Sequence, residues 1–249
     1  MSLEFYLAGP LAHAEWTEIA HLARSFGAGA IGVGPHATLQ LDVNPGDHAQ
    51  AQAAVAQSCL PLSTVPVLVA PLSAPARRLA PSLATALRPQ LADAPATPLH
   101  ISLDLPGVAA DITIALHDAD AEIDSPHLES PAVRVGLEAV SARVHDVASE
   151  LLGAAQTRGV GRRETPATDH RPIGWIELGK ERVALGAGFA SPTLGADVAD
   201  LLAHMDVESW ITPWGGVCFP DLSPGEAEVI ARFLAPRGFI FDADSPFLL

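Results

Sequence analysis

Histidine, arginine and tryptophan are the side chains here with the widest chemical reach, and their spacing limits what each can do. His36 falls in a loop ahead of a predicted strand, where a lone histidine is either solvated or a weak, pH-dependent cation for an anionic ligand. Arg77 and Arg78 stand at a predicted helix start, either as a solvated helix face or as the cations best placed to meet an anion. Trp214, in Pro213-Trp214-Gly215-Gly216, either closes a tight turn as a packed aromatic or stacks on a planar ligand. His13 and His21 are too far apart on one helix for the i, i+4 geometry of a shared metal. His100 and His117 lie on separate predicted strands near Asp104 and Asp118, with no second ligand cluster in support. Cys59 and Cys218 form neither a C-x-x-C pair nor a secretory pattern and read as two buried thiols, too few for a cysteine-ligated zinc or iron–sulfur site. No dinucleotide fingerprint, P-loop or nucleophile elbow occurs, and Gly27–Gly32 joins a helix to a strand, the reverse of a phosphate-cradling order. No catalytic residue and no metal site is expected.

The elements that must position these residues are duplicated. At a constant shift of 179 residues, Leu7-Ala8-Gly9 faces Gly186-Ala187-Gly188, Leu22 faces Leu201, and Asp42-Val43-Asn44-Pro45-Gly46-Asp47 faces Asp221-Leu222-Ser223-Pro224-Gly225-Glu226. In the first copy, Phe5–Ala8 predicts a strand. Trp16, Ile19, Ala20 and Ala23 predict a helix over 12–26, which Gly27 and Gly29 stop by accepting the left-handed conformation. Strands follow at 30–33 and 38–43, then a helix capped by Asn44 with Pro45 at its first position, running to about Ser58, and a short strand near Leu60. The second copy predicts strand 182–187, helix 195–205, strands 209–212 and 216–219, a Ser223-capped helix to Leu234, and strand 238–241. Both read β-α-β-β-α-β, the ferredoxin-like split motif.

Between the copies the chain is proline-rich and predicts strands at 66–70, 99–103, 111–116 and near Val133, with helices at 76–92 and 137–152. Residues 156–171, with Gly159, Gly161, Arg158, Arg162, Arg163 and Pro166, read as a linker. The expected class is therefore α+β, with ferredoxin-like half-domains at 1–62 and 172–249, an α/β insert at 63–155 and a linker at 156–171.

The 249 residues carry 29 acidic against 14 basic side chains, a net charge of −15, and Lys180 is the single lysine. Nucleic-acid binding draws on Lys and Arg contacts to phosphates, so that partner is excluded. Apolar residues at 49% with 17% charged mark a globular chain rather than a disordered one. The N-terminus has no basic n-region and the longest apolar run, Val65–Leu72, is too short to span a bilayer. A soluble, reduced, cytoplasmic protein without a membrane partner is expected.

Three stretches carry a family resemblance. Ile211-Thr212-Pro213-Trp214-Gly215-Gly216-Val217 is similar to L-T-P-W-R-G-V/L, V-G-P-H-A-T-L-Q-L-D-V at 33–43 is similar to L-T-x-R-G-N-L-Q-L-R-G, and Leu60-Pro61 with 67–73 is similar to G-L-x-P and N-I-x-x-S-P-x-x-G. These are motifs of the nitrite and sulfite reductase superfamily, and most closely of its precorrin-3B synthase branch in cobalamin biosynthesis. The resemblance implies duplicated ferredoxin-like halves interleaved with α/β domains, a tetrapyrrole ligand, and a 4Fe-4S cluster, with sirohaem in the reductases. It makes His36, Thr38, Gln40, Thr212 and Trp214, with Arg77 and Arg78, the ligand-binding candidates. The chain departs from the pattern at the arginines that face the carboxylate-rich ligand, carrying His36, Asp42 and Gly215 there. Residues 242–249 resemble the segment just before the family's first cluster cysteines, so no cofactor is expected on this chain. The expected role is a degenerate, redox-silent relative. Its partners would be a tetrapyrrole, a separate cluster-bearing polypeptide, or a second copy of itself.

Overall fold

The computed structural model describes residues 1–87, 99–105, 108, 110–128, 131–155 and 171–248. The first half runs β1 (Ser2–Leu7), α1 (His13–Phe26), β2 (Ala30–Gly34), β3 (Thr38–Asp42), α2 (His48–Gln57) and β4 (Leu62–Ser63). The insert follows as β5 (Val67–Val69), α3 (Ala74–Leu87), β6 (Ile101–Leu103), β7 (Ile112–Leu116), β8 (Asp120–Asp124), β9 (Val133–Gly136) and α4 (Val140–Ala155). The second half comprises β10 (Gly174–Gly179), β11 (Arg182–Phe189), β12 (Thr193–Gly195), α5 (Ala196–Met205), β13 (Trp210–Ile211), β14 (Val217–Leu222), α6 (Pro224–Leu234) and β15 (Phe239–Ile240). The linker expected at 156–171 lies outside the described residues up to 170, as do residues 88–92 of the helix expected to reach Ala92.

The first sheet has the order β12-β2-β3-β1-β4 and the second β10-β11-β14-β13, with β15 also on β11. Each contains the 4-1-3-2 arrangement of its own four split-motif strands, with every neighbouring pair antiparallel. Alternation sets the faces: Leu39 and Leu41 of β3 go into the core with Phe5 and Leu7 of β1, while Gln40 and Glu4 point outward. The insert sheet is β5-β6-β7-β8-β9, parallel through β7 and antiparallel beyond it.

The two halves share one core. Helix α1 lies against α5, and Trp16, Ile19 and Leu22 pack in one cluster with Ala199, Leu202 and Phe219. They also exchange strand contacts: β12 of the second half extends the first sheet beside β2, and Leu11 of the first half bridges Ser209 beside β13. The buried Ser209 hydroxyl accepts from Trp16 Nε1 at 2.8 Å and donates to Leu11 O at 3.0 Å. The copies thus cover each other through their helices. A second core holds the insert and takes in Trp210 and Trp214 from the second half.

Three strands were not foreshadowed by periodicity: β8, β10 and β12. Strand β12 is three residues long and exists because β2 offers it a free edge, a tertiary cause that leaves no local pattern. Asn44 does not cap α2. A 3₁₀ turn, Pro45–Asp47, intervenes, and the Asn44 amide reaches Asp47 Oδ2 at 3.4 Å instead. Its counterpart Ser223 does cap α6, accepting from Glu226 N at 3.3 Å while Glu226 Oε2 accepts from Ser223 N at 2.7 Å. Helix α1 ends at Gly27, but Gly27 has φ −102°, and the left-handed step falls on Ala28 and Gly29. Among the described residues no helix is long and apolar enough to cross a membrane.

Candidate functional site

Two hairpin turns at equivalent places in the duplicated halves meet face to face. In the first half Pro35-His36-Ala37 joins β2 to β3, with His36 (φ 63°) and Ala37 (φ 56°) both left-handed. Thr38 Oγ1 donates to Pro35 O at 2.8 Å and pins that turn from below. In the second half, residues 212–216 join β13 to β14. Thr212 N donates to Gly216 O at 2.8 Å, Gly215 N to Thr212 O at 3.0 Å, and Thr212 Oγ1 accepts from Gly216 N at 3.0 Å. The turns are bonded together by His36 N donating to Pro213 O at 2.8 Å. Gly215 has φ 76°, and a Cβ added to it would stand 3.1 Å from the Gly34 carbonyl carbon. The 179-residue shift that aligns the halves pairs His36 with Gly215.

Around this junction the expected ligand residues divide into three groups. Thr38 and Thr212 are buried and serve the turns. Trp214, 9% exposed, packs with Trp210 into the insert core, so its role as a packed aromatic is the one observed. Gln40 is exposed on the outer face of the first sheet beside Glu4, and Asp42 is exposed at the strand end. Arg77 is not on a solvated face. It is 8% exposed, pairs with Asp221, donates to Pro71 O at 2.7 Å and lies 3.6 Å from Glu208, clamping the insert to the second half. Arg78, one residue on, is exposed.

His36 also has a partner that spacing did not reveal. Its ring meets the His100 ring edge-on at 4.8 Å between centroids. His100 N donates to Asp111 Oδ2 at 2.8 Å, and His127 Nε2 approaches Asp111 Oδ1 at 3.1 Å. Asp111 is 1% exposed and His127 46%, so a buried carboxylate holds a half-exposed imidazole. Burial, followed by the neighbouring His100, pushes the His36 pKa below its ordinary value. The carboxylates near His100 and His117 in sequence play other parts: Asp104 Oδ1 accepts from Leu116 N at 3.3 Å, and Asp118 and His117 are exposed. The signal that would have found this cluster is the parallel pairing of β6 with β7, which sets His100 beside Asp111. No group of three or more metal-ligating side chains with suitable geometry occurs among the described residues.

A 4Fe-4S cluster takes four thiolates, and this sequence carries two thiols. Cys218 is fully buried in β14, where burial pushes its thiol up to about 12, and Cys59 is exposed near Ala14 O, not buried as expected. These residues do not fit the cluster.

The duplicated halves, the facing hairpin turns and the mixed insert sheet make an α+β fold that a solved structure shares. The solved structure of the Mycobacterium tuberculosis NirA protein superposes on 97% of this chain with a TM-score of 0.69 at 15% identity. The chain spans 57% of the length of that protein. No family model matches the sequence, and no curated protein matches it.

Proposed function

We propose that this chain is a precorrin-3B-synthase-like protein of tetrapyrrole metabolism that binds a tetrapyrrole without performing the family's one-electron chemistry. The observation that carries this reading is the junction of the hairpin turns. The equivalent positions 36 and 215 carry histidine and glycine, and the His36–Pro213 hydrogen bond and the close approach of Gly215 to Gly34 lock the turns together there. An arginine at position 215 would need a left-handed backbone and would bring its Cβ within 3.1 Å of the Gly34 carbonyl carbon, so the turn favours glycine there. The ligand would lie over the outer face of the first sheet, beside His36 and Gln40, where a neutral imidazole replaces a fixed cation. Binding is correspondingly weaker than with an arginine, by about 1.5–3 kcal/mol for each charge-assisted hydrogen bond.

Anaerobic reconstitution with iron and sulfide, followed by absorption and electron paramagnetic resonance, tests the redox half of the reading. The expected outcome is no stoichiometric cluster signal and no turnover of precorrin-3A, whereas one 4Fe-4S cluster per chain contradicts it.

A further inference from the structure

Helix α6 buries one face against the second sheet and turns an apolar stripe outward. Ala227, Ile230 and Leu234 go into the core over β11 and β14. Val229 and Phe233, one turn apart, lie on the outward side and are 50% and 48% exposed. Trp175 adds to this surface. It stands opposite Leu185 across the β10–β11 pair, so both side chains lie on the sheet face that α6 covers, yet Trp175 is 47% exposed. Charges flank the stripe in a fixed order, with Glu226 and Glu228 in the first half of the helix, then Arg232 and Arg237 at its end. Residues 224–237 therefore sum to zero charge in a protein of net charge −15. Their bonds are local: Arg232 Nη2 donates to Glu228 Oε1 at 2.7 Å, Arg237 Nη1 donates to Phe233 O at 2.6 Å, and Glu226 serves the Ser223 cap.

We infer that two copies of this chain associate here, α6 against α6 in antiparallel order about a two-fold axis. Such a contact uses one patch on both copies, so the patch must complement itself. The order of charges does this. With the helices centred near Ala231, Val229 meets Phe233 of the second copy, Glu228 comes opposite its Arg232, and Glu226 comes opposite its Arg237. Parallel order would set acid against acid and arginine against arginine. Like net charge opposes the approach of two copies, and a patch in which acidic and basic groups cancel relieves that repulsion. Exchanging the Glu228–Arg232 pair within one helix for the same pair across the axis costs little, because an exposed pair of this kind stabilises a helix only weakly. A helix pair flanked by one tryptophan from each copy is a small interface, of the transient class below roughly 1,200 Å². The inference does not depend on the tetrapyrrole reading.

Sedimentation velocity over a concentration series provides the test. The wild type is expected to pass from monomer to dimer with a Kd on the order of 10–100 µM. Phe233→Glu, at an exposed position, should stay monomeric at about tenfold above that concentration, with the thermal midpoint unchanged. Glu228→Arg and Arg232→Glu each place like charges across the axis and should each weaken self-association by about tenfold or more. A one-to-one mixture of these two variants restores opposite charges and should form a heterodimer, and the double variant Glu228→Arg/Arg232→Glu should dimerise again. Loss of helix stability in a single variant would not be repaired by mixing, so the heterodimer reads the interface itself. A wild type that remains monomeric at about 1 mM, a dimer that survives Phe233→Glu, or a mixture that associates no better than its components overturns the assignment.

Discussion

His36 is held left-handed at φ 63° with its ring against His100, and behind His100 stands the buried carboxylate of Asp111. Burial lowers its folded pKa below the ordinary 6.5, so between those two values the unfolded chain binds more protons than the folded one. The stability associated with neutral His36 is therefore complete above about pH 6.5 and is lost as pH falls through the lower folded value. The thermal midpoint should drop between pH 7 and pH 5, and the drop should shrink in His36→Asn, which tolerates the same backbone. An identical pH dependence in the two proteins would falsify the assignment to His36. Gly215 is the other residue on which the junction turns. Gly215→Ala should cost about 1–2 kcal/mol in urea unfolding, from the left-handed φ alone, while Gly46→Ala, with open space around its Cβ and an ordinary φ, should be neutral or stabilising.

At the level of elements, the halves depend on contacts that each supplies to the other. Trp16 on α1 reaches Ser209 at the start of β13, and both are buried. Ser209→Ala leaves the indole N–H without its acceptor and should destabilise by about 1–3 kcal/mol, measured as a lower urea midpoint with an unchanged m-value. A loss below a few tenths of a kcal/mol would show that the hydrogen bond does not couple the halves. The split motifs themselves were legible in the sequence, since α1 and α6 advertise their buried faces at helical spacing and Ser223-x-x-Glu226 announces its cap. What was not legible has tertiary causes. Strand β12 forms on another half's edge, Asn44 loses its capping role to a 3₁₀ turn, and Asp111 reaches His100 because two strands pair in parallel. For the candidate site, sequence motifs located both hairpin turns. They did not show that Thr38, Thr212 and Arg77 were already engaged within the protein.

Over the whole molecule, two cores are joined where Trp210 and Trp214 leave the second half and pack into the insert, and Arg77 locks the same boundary. The scaffold is similar to that of the Mycobacterium tuberculosis NirA protein, and its facing hairpin turns carry no fixed cation at His36 or Gly215. The measurement that bears most directly on this account is a titration of wild type and His36→Arg with a carboxylated tetrapyrrole such as sirohaem, followed by the Soret band. The account predicts a saturable shift in the wild type at tens of micromolar and binding about tenfold tighter or more in His36→Arg, the gain expected from one charge-assisted hydrogen bond of 1.5–3 kcal/mol. No Soret shift in either protein, or equal affinity in both, would contradict it.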